Sequence, residues 1–556
     1  MVDAPAPVAT PSRPRRAPTW AAALAGAAAG LVAIAAGELF AGLVAGAPSL
    51  VVAVGDVVIA LQPPGAKDVV VALFGTNDKL ALQVVIVGVA VAIAAGAGVL
   101  ASRRFRNGAA LFVAFGLLAA LAGQRDPLAE PLYALVGGVL AVGAGLAALR
   151  GLLALAGGVA TRADRVIDAR WVTPDDNGPA PDTGAAPGDD VVAPAATSMP
   201  DWDRRRFLIA SAGTVGGALA TMAVGRSLLD GRHGEEVVTV SRLPAALQPV
   251  PPLDAGQELG AAGITPLVVA NDDFYRIDTA LVVPRVKVDT WRLEVRGMVD
   301  RPLSFTYDEL LEMPLFEQYV TISCVSNRVG GDLVGNALWT GVRLRDVLEA
   351  AGVQAGATQI VGRSVDGFTA GFPTAWALEP GREAMIAVGM NREPLPAKHG
   401  LPARLIVPGL YGYVSATKWL EAIELTTREA VDGYWIPLGW AKDAPILTQS
   451  RIDVPVQDAG IPAGPTEVAG VAWAPDRGVA GVEVRIDEGP WLPARTSRPI
   501  SDATWVQWAL GWDATPGRHR LEVRATDGDG EIQTEDRTDV APDGARGHHR
   551  ISVSVG

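Results

Sequence analysis

Three stretches, Trp20 to Gly46, Leu80 to Ala101 and Pro131 to Gly157, are too long and too uniformly apolar to be wrapped inside an ordinary soluble domain. Each is dominated by Ala, Leu, Val and Gly, and each reaches the roughly 20 residues a helix needs to cross a bilayer. A shorter run, Ala109 to Gly123, predicts a fourth span. Between the first and second spans, Pro48 to Leu61 is interrupted by Asp56 and followed by Pro63-Pro64, which predicts an interfacial or re-entrant piece. Residues 1–160 are thus expected to form a four-helix transmembrane region, all α. With 556 residues, 49% of them apolar, the remainder is long enough for further soluble domains.

Arginines sort to one side of these spans. Arg13, Arg15 and Arg16 precede the first, Arg103, Arg104 and Arg106 join the second and the shorter run, and Arg162, Arg165 and Arg170 follow the last. By the positive-inside rule those segments are cytoplasmic. Residues 161–203 are expected to be a cytoplasmic linker, since 172–200 are rich in Pro, Ala, Asp and Gly and bury too little apolar surface to fold alone. Then Arg204-Arg205-Arg206-Phe207-Leu208-Ile209 opens another apolar run. Residues 204–230 fit either a twin-arginine-like fifth transmembrane segment or a plain fifth span flanked by positive-inside arginines. Both send the residues after 230 across the membrane, giving a multi-pass protein of the cell membrane with an extracytoplasmic soluble part.

Composition excludes several functions. A formal charge of -13, with arginine clusters confined to the flanks of apolar spans, argues against a nucleic-acid partner. A single cysteine excludes an intramolecular disulfide and an iron-sulfur cluster held by this chain alone. No histidine precedes His233 and no Cys-x-x-Cys-His occurs, so the four spans carry no bis-histidine haem.

From about Pro266 to Arg428 short β-branched runs alternate with turns. Trp291 to Gly297 is predicted to be a strand, Tyr307 to Met313 a helix, Val320 to Ser323 a strand entering Cys324, and Leu344 to Ala351 a second helix. Motifs appear in order: Asn271-Asp272-Asp273-Phe274-Tyr275, Ile322-Ser323-Cys324-Val325-Ser326-Asn327-Arg328, Gly335 to Leu344, Leu395 to Gly409, Tyr411-Gly412-Tyr413 and Ser415-Ala416-Thr417-Lys418-Trp419-Leu420. Together they resemble the sulfite oxidase superfamily of molybdopterin enzymes. The resemblance implies an α+β sulfite-oxidase-like molybdopterin domain over residues 231–453 and a molybdenum-molybdopterin cofactor.

A lone cysteine is ordinarily a small buried apolar residue. The resemblance implies instead that Cys324, fixed at a strand end, offers its thiolate to a metal already held by the dithiolene of the pterin. The pterin's terminal phosphate calls for a cationic fork, a point charge and further donors. By the family's pattern Arg404 and Lys418 supply the charges, His399 contacts the pterin or its phosphate, and Ala416 and Thr417 add donors. Asp272, Tyr275 and Arg276 match an early cofactor-contacting loop, and Ser364 another contact. Arg328 is a candidate catalytic residue that could draw an oxyanion toward the metal, or else a structural ion-pair partner. Sulfite oxidases carry a tyrosine in the loop corresponding to Asp366 to Pro373, where this chain has Phe368 or Thr369. The early Asp-Asp-Phe-Tyr element is closer to the methionine-sulfoxide-reducing branch, whereas Ser-Ala-Thr-Lys-Trp-Leu is closer to the sulfite-oxidising one.

From about Val454, strand alternation returns at Val482-Val484-Ile486, Leu521-Val523 and Ile551-Val553-Val555. Residues 454–556 are expected to form an immunoglobulin-like β-sandwich, with Trp473, Trp491, Trp505, Trp508 and Trp512 as core and interface residues. In the family this domain makes the dimer, so a homodimer is implied by resemblance. The expected function is oxygen-atom transfer to or from a small-molecule oxo-acceptor or oxo-donor substrate. Electrons would pass to or from a separate partner, a cytochrome or a quinone-linked protein. The contrasting expectation is a non-catalytic surface binding or adhesion protein with a vestigial molybdopterin fold. Metal content separates the two.

Overall fold

The computed structural model describes residues 17–61, 78–126, 129–157, 201–235, 243–284 and 286–556, in two compact units, Met1–Gly234 and Glu235–Gly556. The expected linker up to residue 200, Pro63-Pro64, and the arginines at 13, 15, 16, 162, 165 and 170 lie outside the described residues.

The first unit is all helical: α1 (Thr19–Leu43), α2 (Leu50–Ala60), α3 (Asp78–Arg103), α4 (Phe105–Gly123), α5 (Pro131–Leu155) and α6 (Asp201–Glu235). All but α2 are long and apolar enough to cross a membrane. At 1.5 Å per residue the 11 residues of α2 reach only about 16 Å, too short to cross a bilayer. The fourth helix begins earlier than its apolar run suggested, because Phe105 to Gly108 continue the helical turn ahead of Ala109.

Small residues let these helices approach closely, as apolar side chains alone do not in lipid. A Cβ on Gly26 of α1 would lie 2.1 Å from the Ala94 carbonyl of α3, and one on Gly98 would lie 2.2 Å from the Ala22 carbonyl. Helix α6 meets α1 near both ends. Phe207 packs edge-on against Trp20, with ring centroids 5.8 Å apart, while Gly225 lies against the backbone at Glu38. The two helices therefore run parallel. Glu38, fully buried, accepts a hydrogen bond from the Ser49 hydroxyl at 2.6 Å and pairs with Arg226 Nε at 2.9 Å. A carboxylate inside a membrane helix is costly unless paired in this way.

In the second unit the chemistry of the termini sets the helices. Thr306 and Glu309 cap the helix Tyr307–Glu312 reciprocally. The helix Leu344–Ala351 buries Leu344, Val347, Leu348 and Ala351, the one-faced spacing of an amphipathic helix, and stops at Gly352, whose φ is 72°. Two sheets, one mixed and one antiparallel, form the central part. In one, the order is Leu303–Thr306, Arg292–Gly297, Leu420–Thr426, Gln359–Ser364 and Thr369–Pro373, with the second and third strands parallel. In the other, Leu315–Ser323 pairs with Val334–Arg343, which pairs with Met385–Met390, flanked in turn by Glu393–Pro394 and Arg404–Ile406. The strand ending at Ser323 starts five residues before the expected Val320, because Leu315 to Tyr319 pair with Leu338 to Val342.

The C-terminal part consists of a four-stranded and a five-stranded sheet. Val468, Val506 and Trp508 from one share a core with Val484, Leu521, Val523 and Val553 from the other. Trp473 and Trp505 are also buried but join the central core, while Trp491 and Trp512 are half-buried. The Trp505 amide donates to Thr321 Oγ1 at 2.8 Å, and its indole donates to the Leu267 carbonyl at 2.8 Å. The strand that delivers Cys324 is thus braced from the C-terminal sheets.

Candidate cofactor site

Cys324 comes directly after the last residue of its strand, and its amide donates to the Leu333 carbonyl at 2.9 Å. The loop after it is closed by buried Asn327, whose side-chain carbonyl accepts from the Leu333 amide at 2.9 Å and whose own amide donates to the Cys324 carbonyl at 3.0 Å. The C-terminal sheets hold the far side of this loop through Arg451, which donates to the Gly331 carbonyl at 2.9 Å. A rigid strand end and a twice-tied loop fix the thiol, which is only 8% exposed. Arg328, on the same loop, is exposed.

Beside the cysteine lies an aromatic and cationic cluster. Phe274 stacks on Tyr275 at 5.2 Å and meets Trp339 and His399 edge-on at 5.9 and 5.7 Å. The Tyr275 hydroxyl feels both Cys324 and Arg404, and burial pushes its ionisation well above the ordinary tyrosine range. Arg404, 5% exposed, donates to the His399 carbonyl at 3.1 Å and lies 5.1 Å from the centre of the Trp339 ring. Burial lowers its guanidinium to about 10. Burial likewise lowers His399 to about 4, so at neutral pH the ring is uncharged. Its Nε2 sits 2.7 Å from the Asn271 carbonyl, an acceptor, which assigns the proton to Nε2 and leaves Nδ1 as an acceptor.

Lys418 is also buried, and burial brings its ammonium down to about 8 despite the opposing effect of Asp278. Gly400 lies between the two buried cations, with φ 115°. A Cβ there would stand 3.0 Å from Lys418 Cβ and 3.2 Å from Arg404 Cβ. Thr417 is wholly buried, and among the described residues its hydroxyl has no hydrogen-bond partner. Arg404 Nε also has none. Buried polar groups without partners are rare in native proteins, and one of these belongs to a buried cation. An anionic ligand with acceptor oxygens suits Arg404 Nε and the neighbouring Lys418, while the Thr417 hydroxyl lies toward Gly362, and a soft metal on that ligand suits the nearby thiol. The residues fit a molybdopterin.

The other expected contacts separate into groups. Asp272 is exposed and pairs with Lys398 Nζ at 2.8 Å, at the rim beside His399. Arg276 pairs with Asp278 at 2.8 Å. Ser364 is buried, but its hydroxyl accepts from the Asp366 amide at 3.4 Å and so serves the turn leading to Phe368. Ala416 lies among these residues, yet its amide already donates to the Gly412 carbonyl at 2.9 Å. Its place as a donor is corrected accordingly, because the short helix Gly412–Ser415 ends on that amide. Phe368 is half-buried, with its ring 5.8 Å from Tyr434. Sequence reasoning gave no role to Asp278, whose partner Lys418 lies 140 residues away, and quoted Asn327 in a motif without seeing that it closes the loop after Cys324.

Residues 280–435 match the family model described as oxidoreductase molybdopterin binding domain. The site geometry and this match define a molybdopterin-binding protein. The chain is 30% identical over 288 residues to mitochondrial sulfite oxidase of Homo sapiens, covering 44% of this chain and 53% of that protein. It is 35% identical over 179 residues to nitrate reductase [NADH] 1 of Oryza sativa subsp. japonica, covering 28% of this chain and 19% of that protein. The crystal structure of the sulfane dehydrogenase SoxCD from Paracoccus pantotrophus aligns at a TM-score of 0.44 with 22% identity, covering 49% of this chain and 75% of that one. The chain thus spans about half the length of the sulfite oxidases it matches. Residues 280–435 thus carry an oxidoreductase molybdopterin binding domain similar to that of sulfite oxidases and nitrate reductases, and the cofactor is of the molybdenum-molybdopterin class.

Proposed function

We propose that this chain is a membrane-anchored molybdenum oxidoreductase that transfers an oxygen atom to or from a small substrate and exchanges electrons with a separate cytochrome or quinone-linked partner. The observation that carries the proposal is the burial of two cations, Arg404 and Lys418, on either side of Gly400, with Arg404 Nε lacking a hydrogen-bond partner among the described residues, in a domain of this kind. When bound, the molybdenum-molybdopterin supplies two-electron redox chemistry and a site for the oxo group. Cys324 holds the metal as a thiolate. Arg404 and Lys418 neutralise the phosphate, the Thr417 hydroxyl and the Tyr275 phenol hydrogen-bond the cofactor, and neutral His399 presents Nδ1 as an acceptor. Asp272 and Arg276 line the early loop and Ser364 shapes its neighbour, while Ala416 contributes backbone packing. Exposed Arg328 draws an anionic substrate toward the thiolate-ligated centre.

Residues 1–160 and 204–230 anchor the protein in the cell membrane, the second by a twin-arginine-like or plain span, with 161–203 as a cytoplasmic linker. The parallel course of α1 and α6 supports a common side for their N-termini, as the arginines suggest. Residues 231–453 are then the extracytoplasmic catalytic domain, and 454–556 an immunoglobulin-like domain suited to homodimer formation. The reaction is tested with sulfite and an artificial acceptor, and with methionine sulfoxide and an artificial donor. Because Phe368 lacks a hydroxyl, weak or no sulfite oxidation is expected. Sulfite turnover equal to that of dedicated sulfite oxidases would contradict this substrate assignment, and inactivity in both directions with a molybdenum-free protein would contradict the enzyme itself.

A further inference from the structure

Asp278 is a carboxylate sunk into the cationic end of the site, its side chain 3% exposed. Its Oδ2 lies 2.7 Å from Lys418 Nζ and 2.8 Å from Arg276 Nε, so one oxygen joins two cations brought from distant parts of the chain. Arg404 is the third cation, and both it and Arg276 act on Lys418 electrostatically. Among the described residues, three cations against one carboxylate leave two positive charges, which matches a phosphate monoester carrying about −1.5 to −2 at neutral pH. The rim pair of Asp272 and Lys398 cancels and adds nothing to this balance.

We propose that Asp278 is a positioning residue for the cofactor's phosphate: it keeps Lys418 charged and holds it beside Arg276, so that a buried ammonium is ready for the anion. The inference rests on the cofactor assignment above. Lys418 is faced by Asp278, Arg276, Arg404, neutral His399 and the Trp419 ring; the ring favours the ammonium weakly, and Asp278 is the one anion among the described residues around it that does so. Burial and the two arginines already bring Lys418 down to about 8 with Asp278 present. Removing that carboxylate charge lowers it further, so that more of the ammonium deprotonates at a given pH and the phosphate loses its point charge.

The test uses the full chain, purified with its cofactor, as wild type, Asp278→Asn, Asp278→Glu and the double variant Asp278→Asn/Lys418→Arg. Each is dialysed between pH 6 and 8.5, and retained pterin is measured by fluorescence after release, beside molybdenum content. Wild type is expected to keep its pterin to about pH 8. Asp278→Asn should match it at pH 6 and retain about fivefold less at pH 8, the change in charged fraction that a one-unit displacement of Lys418 from about 8 produces. Asp278→Glu should recover most of the retention. Lys418→Arg in the Asn background should abolish the pH dependence, since a guanidinium stays charged throughout. Equal retention by Asp278→Asn at every pH would overturn the inference, as would a loss independent of pH that neither Glu nor the double variant rescues. A wild type free of pterin would instead overturn the cofactor assignment, and this inference with it.

Discussion

Arg404→Met separates a cation placed for a ligand from one placed for the fold. Burial holds the guanidinium at about 10 rather than 12.5, so keeping it charged costs the cofactor-free protein about 3 kcal/mol. Against that stand one hydrogen bond to the His399 carbonyl, about 1 to 2 kcal/mol, and the contact with Trp339, about 1 kcal/mol. The terms nearly cancel. Cofactor-free Arg404→Met should therefore unfold within about 1 kcal/mol of wild type, since methionine fills much of the same space without a charge. The loaded protein behaves differently, because a charge-assisted contact to phosphate contributes about 2 to 3 kcal/mol, or about 30- to 150-fold in retention. Urea unfolding of protein from a molybdopterin-deficient host gives the first quantity, and pterin content from a competent host the second. A variant that loses more than about 2 kcal/mol of stability yet keeps its full pterin would refute the assignment and make Arg404 a structural cation.

The same physics sets two further outcomes. Burial lowers His399 and His549 to about 4, so on acidification the unfolded chain takes up protons from about 6.5 while the folded protein waits until about 4. Stability is lost as pH falls through that window, by up to about 3 kcal/mol per histidine, and an unfolding midpoint unchanged between pH 7 and 5 would contradict it. In the membrane unit, Glu38→Gln removes the counter-charge of Arg226, which is partly exposed, and should cost about 1 to 3 kcal/mol in detergent. Arg226→Gln on that background should restore part of the loss, whereas additive losses would argue that the pair does not couple.

Much of this architecture was legible because local chemistry and global fold agree. Leu344 to Ala351 shows a helical apolar stripe ending at glycine, and the membrane spans need only length and composition. The site was legible through motif order, which placed Cys324, His399, Arg404 and Lys418 together before any distance was known. What stayed hidden depends on long-range geometry. Asp278 acquires its meaning only when Lys418 arrives from 140 residues away. The strand from Leu315 escaped because it is buried on much of both faces and so lacks the alternation that marks a half-exposed strand. Ala416 looked like a free donor because sequence does not reveal that a four-residue helix closes on its amide.

The central claim is that the single thiol, Cys324, binds molybdenum held by a pterin in this domain. X-ray absorption at the molybdenum edge of the purified protein tests it most directly, comparing wild type with Cys324→Ser after both have been shown to contain pterin. The expected result is stoichiometric molybdenum in the wild type and one sulfur ligand fewer in the variant. A wild type without molybdenum, or the same number of sulfur ligands in both proteins, would contradict it.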